Sequence, residues 1–277
     1  MSTAPAIPTV TLHNGVEIPQ LGFGVFQVPD DETATAVGHA LEAGYRSIDT
    51  AAVYGNEAGV GTALAASGIP REDLFVTTKL WNADQGYDST LRAFDASLGR
   101  LGLDHVDLYL IHWPAPAQDR YLDSWRAIGT LVADGRVRAA GVSNFQPAHL
   151  ARLLDDGGPV PVVNQIELHP GLQQRELREL HAAHGIVTEA WSPLAQGAVL
   201  GDPVIRKIAD RHGKSAAQVV LRWHLQLGNV VIPKSVTPAR IRENLDVFDF
   251  ALTDEETAAI ATLDAGLRTG PHPDTLD

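Results

Sequence analysis

Four residues of the chain carry groups that together could move a proton: Asp49, Tyr54, Lys79 and His112. A phenol has a reference pKa of about 10 and is a poor acid near neutrality. An ammonium about 4 Å away favours the phenolate by roughly 4 kcal/mol at an effective dielectric near 20, or about three pKa units at most. Asp49 would keep Lys79 charged and hold it in place. His112 can donate a hydrogen bond to a substrate oxygen. Alone, an Asp–Lys pair is ordinarily structural and a strand-end histidine ordinarily a satisfied hydrogen bonder. Converging, the four suit protonation of a carbonyl oxygen while another group delivers hydride to its carbon.

Such convergence needs a scaffold, and the chain has a rhythm that supplies one. Short β-prone runs at 21–23, 46–48, 74–78, 106–111, 137–142, 162–166, 186–190 and 229–232 alternate with helical stretches near 32–43, 57–67, 88–100, 121–134, 147–154, 174–183, 203–212 with 215–226, and 238–245. A further helix at 253–263 opens with a capping-box pattern, Thr253 followed by Glu256. Several runs, such as 106–111, are mostly apolar rather than strictly alternating, as parallel strands covered on both faces are. Eight strands alternating with helices in 277 residues predict an α/β fold, a (β/α)8 TIM barrel; the rival is an open doubly wound sheet. Asn14-Gly15 between two β-prone runs predicts an N-terminal β-hairpin whose turn residues both take positive φ, plugging one end of the barrel. No linker divides the chain, so 1–277 reads as a single domain.

In a parallel barrel, functional groups sit where strands end at the C-terminal face. There stand Asp49 and Thr50, Lys79 and Trp81, His112 and Trp113, Ser143 and Asn144, Gln165 and Glu167, Glu189 and Trp191 with Ser192, and Lys234 with Ser235. After the last strand, Lys234, Ser235, Pro238 and Arg240 open a helix. Free N–H groups at its start and two cations offer a phosphate site.

Composition narrows the functions. With 21 Lys+Arg against 34 Asp+Glu the net charge is −13, and no basic run could neutralise a nucleic-acid backbone. A chain without cysteine forms no disulfide, Fe–S cluster or cysteine nucleophile, and fits a reducing compartment. No apolar run approaches 18 residues, so no membrane span is expected. Residues 1–10 lack the pattern of a signal peptide. Gly22 and Gly24 supply two glycines of a dinucleotide fingerprint, but Gln27 holds the third place. His181 and His184, on a polar helix face, lack a carboxylate at ligand spacing, so no metal is expected.

Longer motifs carry a resemblance. Gly44-Tyr45-Arg46-Ser47-Ile48-Asp49 running on through Tyr54 to Gly61, Leu103 to Pro114 around His112, and Ile232-Pro233-Lys234-Ser235 through Arg240 resemble the three signatures of the aldo-keto reductase superfamily. Within it, Gly24-Val25-Phe26, Lys79-Leu80-Trp81-Asn82 and Trp191 through Gly197 resemble bacterial 2,5-diketo-D-gluconic acid reductases. The resemblance implies an NADPH-dependent carbonyl reductase with Tyr54 as general acid, Lys79 and Asp49 lowering its pKa, and His112 orienting the carbonyl. It implies Ser143, Asn144 and Gln165 on the nicotinamide carboxamide and Trp191 stacked on the ring. Ser192, Leu194 and Gln196 would lie along the pyrophosphate. Lys234, Ser235, Val236 and Arg240 would lie at the 2′-phosphate, with Glu243 and Asn244 near adenine. Phe26, Ala51, Trp81 and Trp113 would line the substrate cup. Many members have tyrosine where Trp191 stands. The segment after Asp264 is short compared with that of animal members, so small polar carbonyl compounds such as keto sugar acids or methylglyoxal are expected. A cytoplasmic monomer with no nucleic-acid or membrane partner is the accompanying expectation. The rivals are a non-catalytic nicotinamide-binding sensor on the same barrel and a phosphate-binding lyase or isomerase.

Overall fold

Strand ends meet because the runs that carry them pair in chain order. The structure, a computed structural model, describes residues 7–276; the signal-peptide expectation therefore falls partly outside the described residues. Strands β1 (Thr9–Thr11) and β2 (Glu17–Pro19) form an antiparallel hairpin. Then follow β3 (Phe23–Gly24), α1 (Asp30–Ala43), β4 (Ser47–Asp49), α2 (Glu57–Ala66), β5 (Phe75–Leu80), α3 (Tyr87–Leu101), β6 (Val106–Ile111) and α4 (Tyr121–Ala133). The second half holds β7 (Val137–Ser143), α5 (Pro147–Asp155), β8 (Val163–Glu167), α6 (Arg175–Ala183), β9 (Val187–Trp191), α7 (Pro203–His212), α8 (Ala216–Gln226), β10 (Val230–Val231), α9 (Pro238–Leu245) and α10 (Asp254–Ala261). Strands β3 to β10 pair in parallel in that order. A bridge from Leu21 to Val231 closes the sheet, with Gly22 N donating to Val231 O (2.9 Å) and Val231 N to Gln20 O (3.0 Å). Closure excludes the open doubly wound sheet.

The seam strands are shorter than the sequence suggests, because closure rests on a few bonds there. A Cβ on Gly22 would lie 3.0 Å from Ser47 Oγ and 3.1 Å from Ile232 Cγ2. The glycine pair thus serves close packing of strands and not a dinucleotide turn. Every residue of β5 and β6 is buried, which accounts for the lack of apolar–polar alternation along them.

The hairpin plugs the barrel's N-terminal end. Leu12 and Ile18 pack among Phe75, Leu108, Leu110, Ala139, Val163 and Val230, and burying each gains about 1.5–3 kcal/mol. Its turn departs from expectation. Only Gly15 takes positive φ (+86°), in a three-residue loop between Leu12 and Val16, whose N–H to O bond is 2.8 Å. Asn14 is held otherwise: its side chain accepts from Val16 N (3.2 Å) and donates to Arg138 O (3.1 Å).

Side chains alternate in and out along a strand, so counting by two from this apolar floor reaches the polar mouth. Phe75 leads to Thr77 and Lys79, Leu108 to Leu110 and His112, Ala139 to Gly141 and Ser143, Val163 to Gln165 and Glu167, and Val187 to Glu189 and Trp191. Among the described residues no helix is long and apolar enough to cross a membrane.

Candidate active site

Asp49, Lys79 and His112 end β4, β5 and β6 and stand side by side. Lys79 is fully buried; its Nζ donates to Asp49 Oδ1 (2.5 Å) and to the Thr50 carbonyl (2.9 Å). Burial alone would lower its pKa, but Asp49, joined by Tyr54 and Glu189, outweighs that and holds the ammonium above its usual pKa. Tyr54 ends a short 3₁₀ turn, Ala52–Tyr54, and its ring centroid lies 5.2 Å from Lys79 Nζ and 5.7 Å from that of His112. One expectation needs correcting. Burial is the largest influence on the Tyr54 phenol and raises its pKa; Lys79 opposes the rise, whereas the negative charges of Asp49 and Glu189 add to it. Asp49 therefore keeps Lys79 in place but does not itself acidify Tyr54. Burial and the Lys79 charge push the His112 imidazole well below its ordinary pKa, so it is neutral near pH 7. Its Nδ1 is buried without a partner.

Beneath this trio lies a buried acid that strand-end reading gave no role. Gln165 Nε2 donates to both Asp49 Oδ2 and Glu189 Oε2, each at 2.9 Å. Glu189 is buried, and desolvation with the nearby Asp49 charge raises its pKa to about 7. The double donation turns Gln165's amide nitrogen into the barrel. The only hint in the sequence was parity, since Glu189 lies two residues before Trp191 on an inward face.

Ser143, Asn144 and Trp191 join the same mouth. Ser143 Oγ donates to Gln165 O (2.8 Å), Asn144 Nδ2 to His112 O (2.9 Å), and Trp191 Nε1 to Asn144 Oδ1 (2.8 Å). Asn144 (φ +64°), Ser192 (+47°), Ala195 (+48°) and Gln196 (+54°) all adopt left-handed backbone conformations. Such conformations are uncommon outside glycine and cluster at functional loops. Leu194 is half-buried and Gln196 exposed on that loop.

Aromatic residues wall the mouth. Phe26 is 53% exposed with its ring 5.0 Å from Tyr54, and Trp81 lies 5.5 Å from His112. Trp113 is buried, 6.3 Å from both His112 and Trp191. Ala51 has no exposed surface and so, unlike the others, offers nothing to a substrate. Beyond β10, Lys234 and Arg240 are exposed and outside the ion pairs of the described residues. Ser235 Oγ accepts from Thr237 N (3.2 Å), and Pro238 is the first residue of α9. Val236 is exposed, Glu243 half-buried and Asn244 buried. A groove of about 610 Å³ on the barrel flank, lined by Arg178, Trp223 and Thr257 among others, holds none of these groups.

His181 is not on a polar face. It is buried between Asn164 Nδ2 and Thr188 Oγ1, each 2.9 Å away, and desolvation lowers its pKa to about 3. The C-terminal segment after α10 folds back on the mouth: Thr269 N and Oγ1 donate to Glu167 Oε1 (2.5 and 2.6 Å) and Gly270 N to Glu167 Oε2 (3.3 Å).

Residues 20–265 match the aldo/keto reductase family. The chain is 56% identical over 271 residues to a methylglyoxal reductase from Yersinia pestis, with 97% of each chain covered. It is 55% identical over 269 residues to a glyoxal reductase from Bacillus subtilis, again with 97% of each covered. Among solved structures it is similar to a Gox0644 variant in complex with NADPH, with TM-score 0.94, 52% identity, and 98% of this chain and 99% of that one covered.

Proposed function

The chain belongs to the aldo/keto reductase family, and from that premise we propose that it reduces small dicarbonyl compounds of the glyoxal and methylglyoxal type to hydroxycarbonyls with NADPH. The observation that carries the reading is the buried Asp49–Lys79 pair beneath Tyr54, with neutral His112 beside it. The names of two relatives supply the substrate class, and the NADPH complex of a similar structure supplies the cofactor. The motif likeness to diketogluconate reductases adds keto sugar acids to the candidates.

The residues present fit that cofactor. Lys234 and Arg240 are exposed cations without acidic partners in a chain of net charge −13. They stand beside α9's free N–H groups, where a 2′-phosphate would be held with Ser235 and Val236. Glu243 and Asn244 would face adenine; Ser192, Leu194 and Gln196 the pyrophosphate; Ser143, Asn144 and Gln165 the carboxamide; Trp191 the nicotinamide ring. Bound NADPH supplies a hydride to the carbonyl carbon.

The chain's own groups handle the proton. Burial keeps Tyr54 protonated, so the phenol delivers its proton to the carbonyl oxygen as negative charge develops there. Lys79 stabilises the phenolate left behind, and Asp49 keeps Lys79 charged and placed. His112, being neutral, holds the carbonyl by a hydrogen bond and does not compete as acid. Phe26, Trp81 and Trp113 exclude water from the reacting carbonyl.

The test is a panel of glyoxal, methylglyoxal, keto sugar acids and ketosteroids, followed by loss of NADPH absorbance. Small dicarbonyls should give the highest kcat/KM. A higher value for ketosteroids would overturn the substrate class, and tight NADPH binding with no turnover on any carbonyl would favour the sensor reading.

A further inference from the structure

Glu167 and Trp191 sit side by side, as register partners on the parallel pair β8 and β9. Glu167 is buried, and its carboxylate is saturated by the returning C-terminal segment. Thr269 donates twice to Oε1 (2.5 and 2.6 Å), Gly270 N donates to Oε2 (3.3 Å), and His169 Nε2 lies 3.2 Å from Oε1. Arg268 stands 3.9 Å off. Burial alone would raise this carboxyl's pKa, but the bonds from His169, Thr269 and Gly270 bring it below the usual value, so it remains an acceptor. The clamp sets Gly270 directly on the indole: a Cβ there would lie 2.5 Å from Trp191 Cη2 and 3.2 Å from Cζ3. On its other side the ring is tied by Nε1 to Asn144 Oδ1 (2.8 Å) and faces Trp113 at 6.3 Å.

We propose that Glu167 and Gly270 are positioning residues, which seat the C-terminal segment against Trp191 and so fix the indole in the plane it presents to the nicotinamide. The proposal rests on the reading that Trp191 stacks on that ring. A six-membered indole edge with three neighbours has one rest position. Glycine is required at 270 because the space of a methyl group is already filled by the ring. The segment is also tied upstream, where Leu267 N donates to Gly171 O (3.2 Å), but the hydrogen bonds that hold Thr269 and Gly270 themselves over the ring end on Glu167. The segment thus acts on the cofactor through Trp191.

A double-mutant cycle reads this coupling, since contacting residues fail additivity and distant ones do not. NADPH affinity is measured by calorimetry, with kcat on methylglyoxal and the thermal midpoint, for Gly270→Ala, Trp191→Phe and the pair. Gly270→Ala should weaken NADPH binding at least tenfold while the midpoint moves by less than about 3 °C, as little lost stability requires at this size. Phenylalanine lacks the outer indole atoms, so in the Trp191→Phe background Gly270→Ala should change affinity less than twofold. Glu167→Ala should weaken binding like Gly270→Ala, and Glu167→Gln, which keeps an acceptor for Thr269, should recover most of it. If Trp191→Phe weakens NADPH binding but Gly270→Ala does not, or if Gly270→Ala costs as much in the Phe background, the proposal is overturned while the stacking reading stands. If Trp191→Ala, which removes the ring altogether, leaves affinity unchanged, the stacking reading fails and the proposal with it.

Discussion

In the proposed reaction the hydroxyl of Tyr54 is the proton donor: burial holds the phenol protonated, and Lys79 is near enough to stabilise the phenolate once the proton is given up. Tyr54→Phe removes only that oxygen. It should cut kcat by at least about a hundredfold, within the range general acid catalysis contributes, and leave NADPH affinity and thermal midpoint nearly unchanged. Retention of more than about a tenth of the wild-type rate would reassign the acid. Lys79→Met behaves differently, because it leaves Asp49 and Glu189 buried without their cation. Breaking a buried pair from one side costs about 3–5 kcal/mol, so this variant should lose both activity and stability in urea titrations. A fully active Lys79→Met enzyme would refute the role given to the pair. Asp49, Lys79 and His112 were legible from sequence because each closes an apolar run, where a charge has no packing reason to be. Glu189 was not, because its importance lies in sharing Gln165 Nε2 with Asp49, residues 116 positions apart on strands that are not neighbours. A carboxylate raises a neighbouring phenol's pKa at any distance, so Asp49 can help Tyr54 only through Lys79; how far burial outweighs Lys79 was not legible from residue types.

At the level of elements, the proposed site of cofactor choice is the strand-to-helix turn after β10. Arg240 lies on the first turn of α9 and Lys234 two residues beyond Ile232, both exposed. Charge-assisted bonds contribute about 1.5–3 kcal/mol each, so Arg240→Ala should weaken NADPH binding at least tenfold and leave NADH almost untouched. Equal losses for both cofactors would put the 2′-phosphate elsewhere. The hairpin is the second element with a measurable share. Ile18 is wholly buried in the barrel floor, and Ile18→Ala should cost about 2–5 kcal/mol in urea unfolding without changing kcat, since the floor and the mouth share strands but no side chains. The order of strands and helices was readable because fully covered parallel strands are apolar along their length. The seam was harder: β3 and β10 have two residues each and owe their place to a closing bridge, which leaves no periodicity to detect. Nor does a turn made by Gly15 alone differ in sequence from one in which Asn14 also turns left-handed. The clamp of Thr269 and Gly270 on Glu167 pairs positions 102 and 103 residues apart, beyond the reach of any local pattern.

For the molecule as a whole, buried groups that titrate near neutrality decide how stability follows pH, and they oppose one another. Glu189 has its folded pKa raised from 4.5 to about 7. The native state then holds a proton that the unfolded chain releases, so this group stabilises at low pH and the contribution is lost as pH rises through 7. Between pH 7 and 5 it favours the fold by at most about 3 kcal/mol on acidification, at about 1.4 kcal/mol per pKa unit. The buried histidines act in the other sense. His181 and His224 have folded pKa values lowered to about 3 by desolvation, and His112 lies well below its ordinary value by burial and the Lys79 charge. Each takes up a proton more readily in the unfolded chain than in the native one, a loss near 2 kcal/mol apiece by pH 5 for His181 and His224, and His112 acts in the same direction. His149, lowered by its burial, adds to that side. Glu167 and Glu256, whose pKa values are depressed, lose their contribution only below about 4.5 and do not enter this window. Over that interval His181 and His224, at about 2 kcal/mol each, outweigh one glutamate at about 2, so wild-type stability should fall as pH drops from 6.5 to 5. Glu189→Gln removes the opposing term and should make that fall steeper by about 2 kcal/mol over the same interval, read from urea midpoints at each pH. An unchanged slope in Glu189→Gln would mean that Glu189 is ionised in the folded protein throughout, and that Gln165 donates to two carboxylates rather than to one carboxylate and one acid.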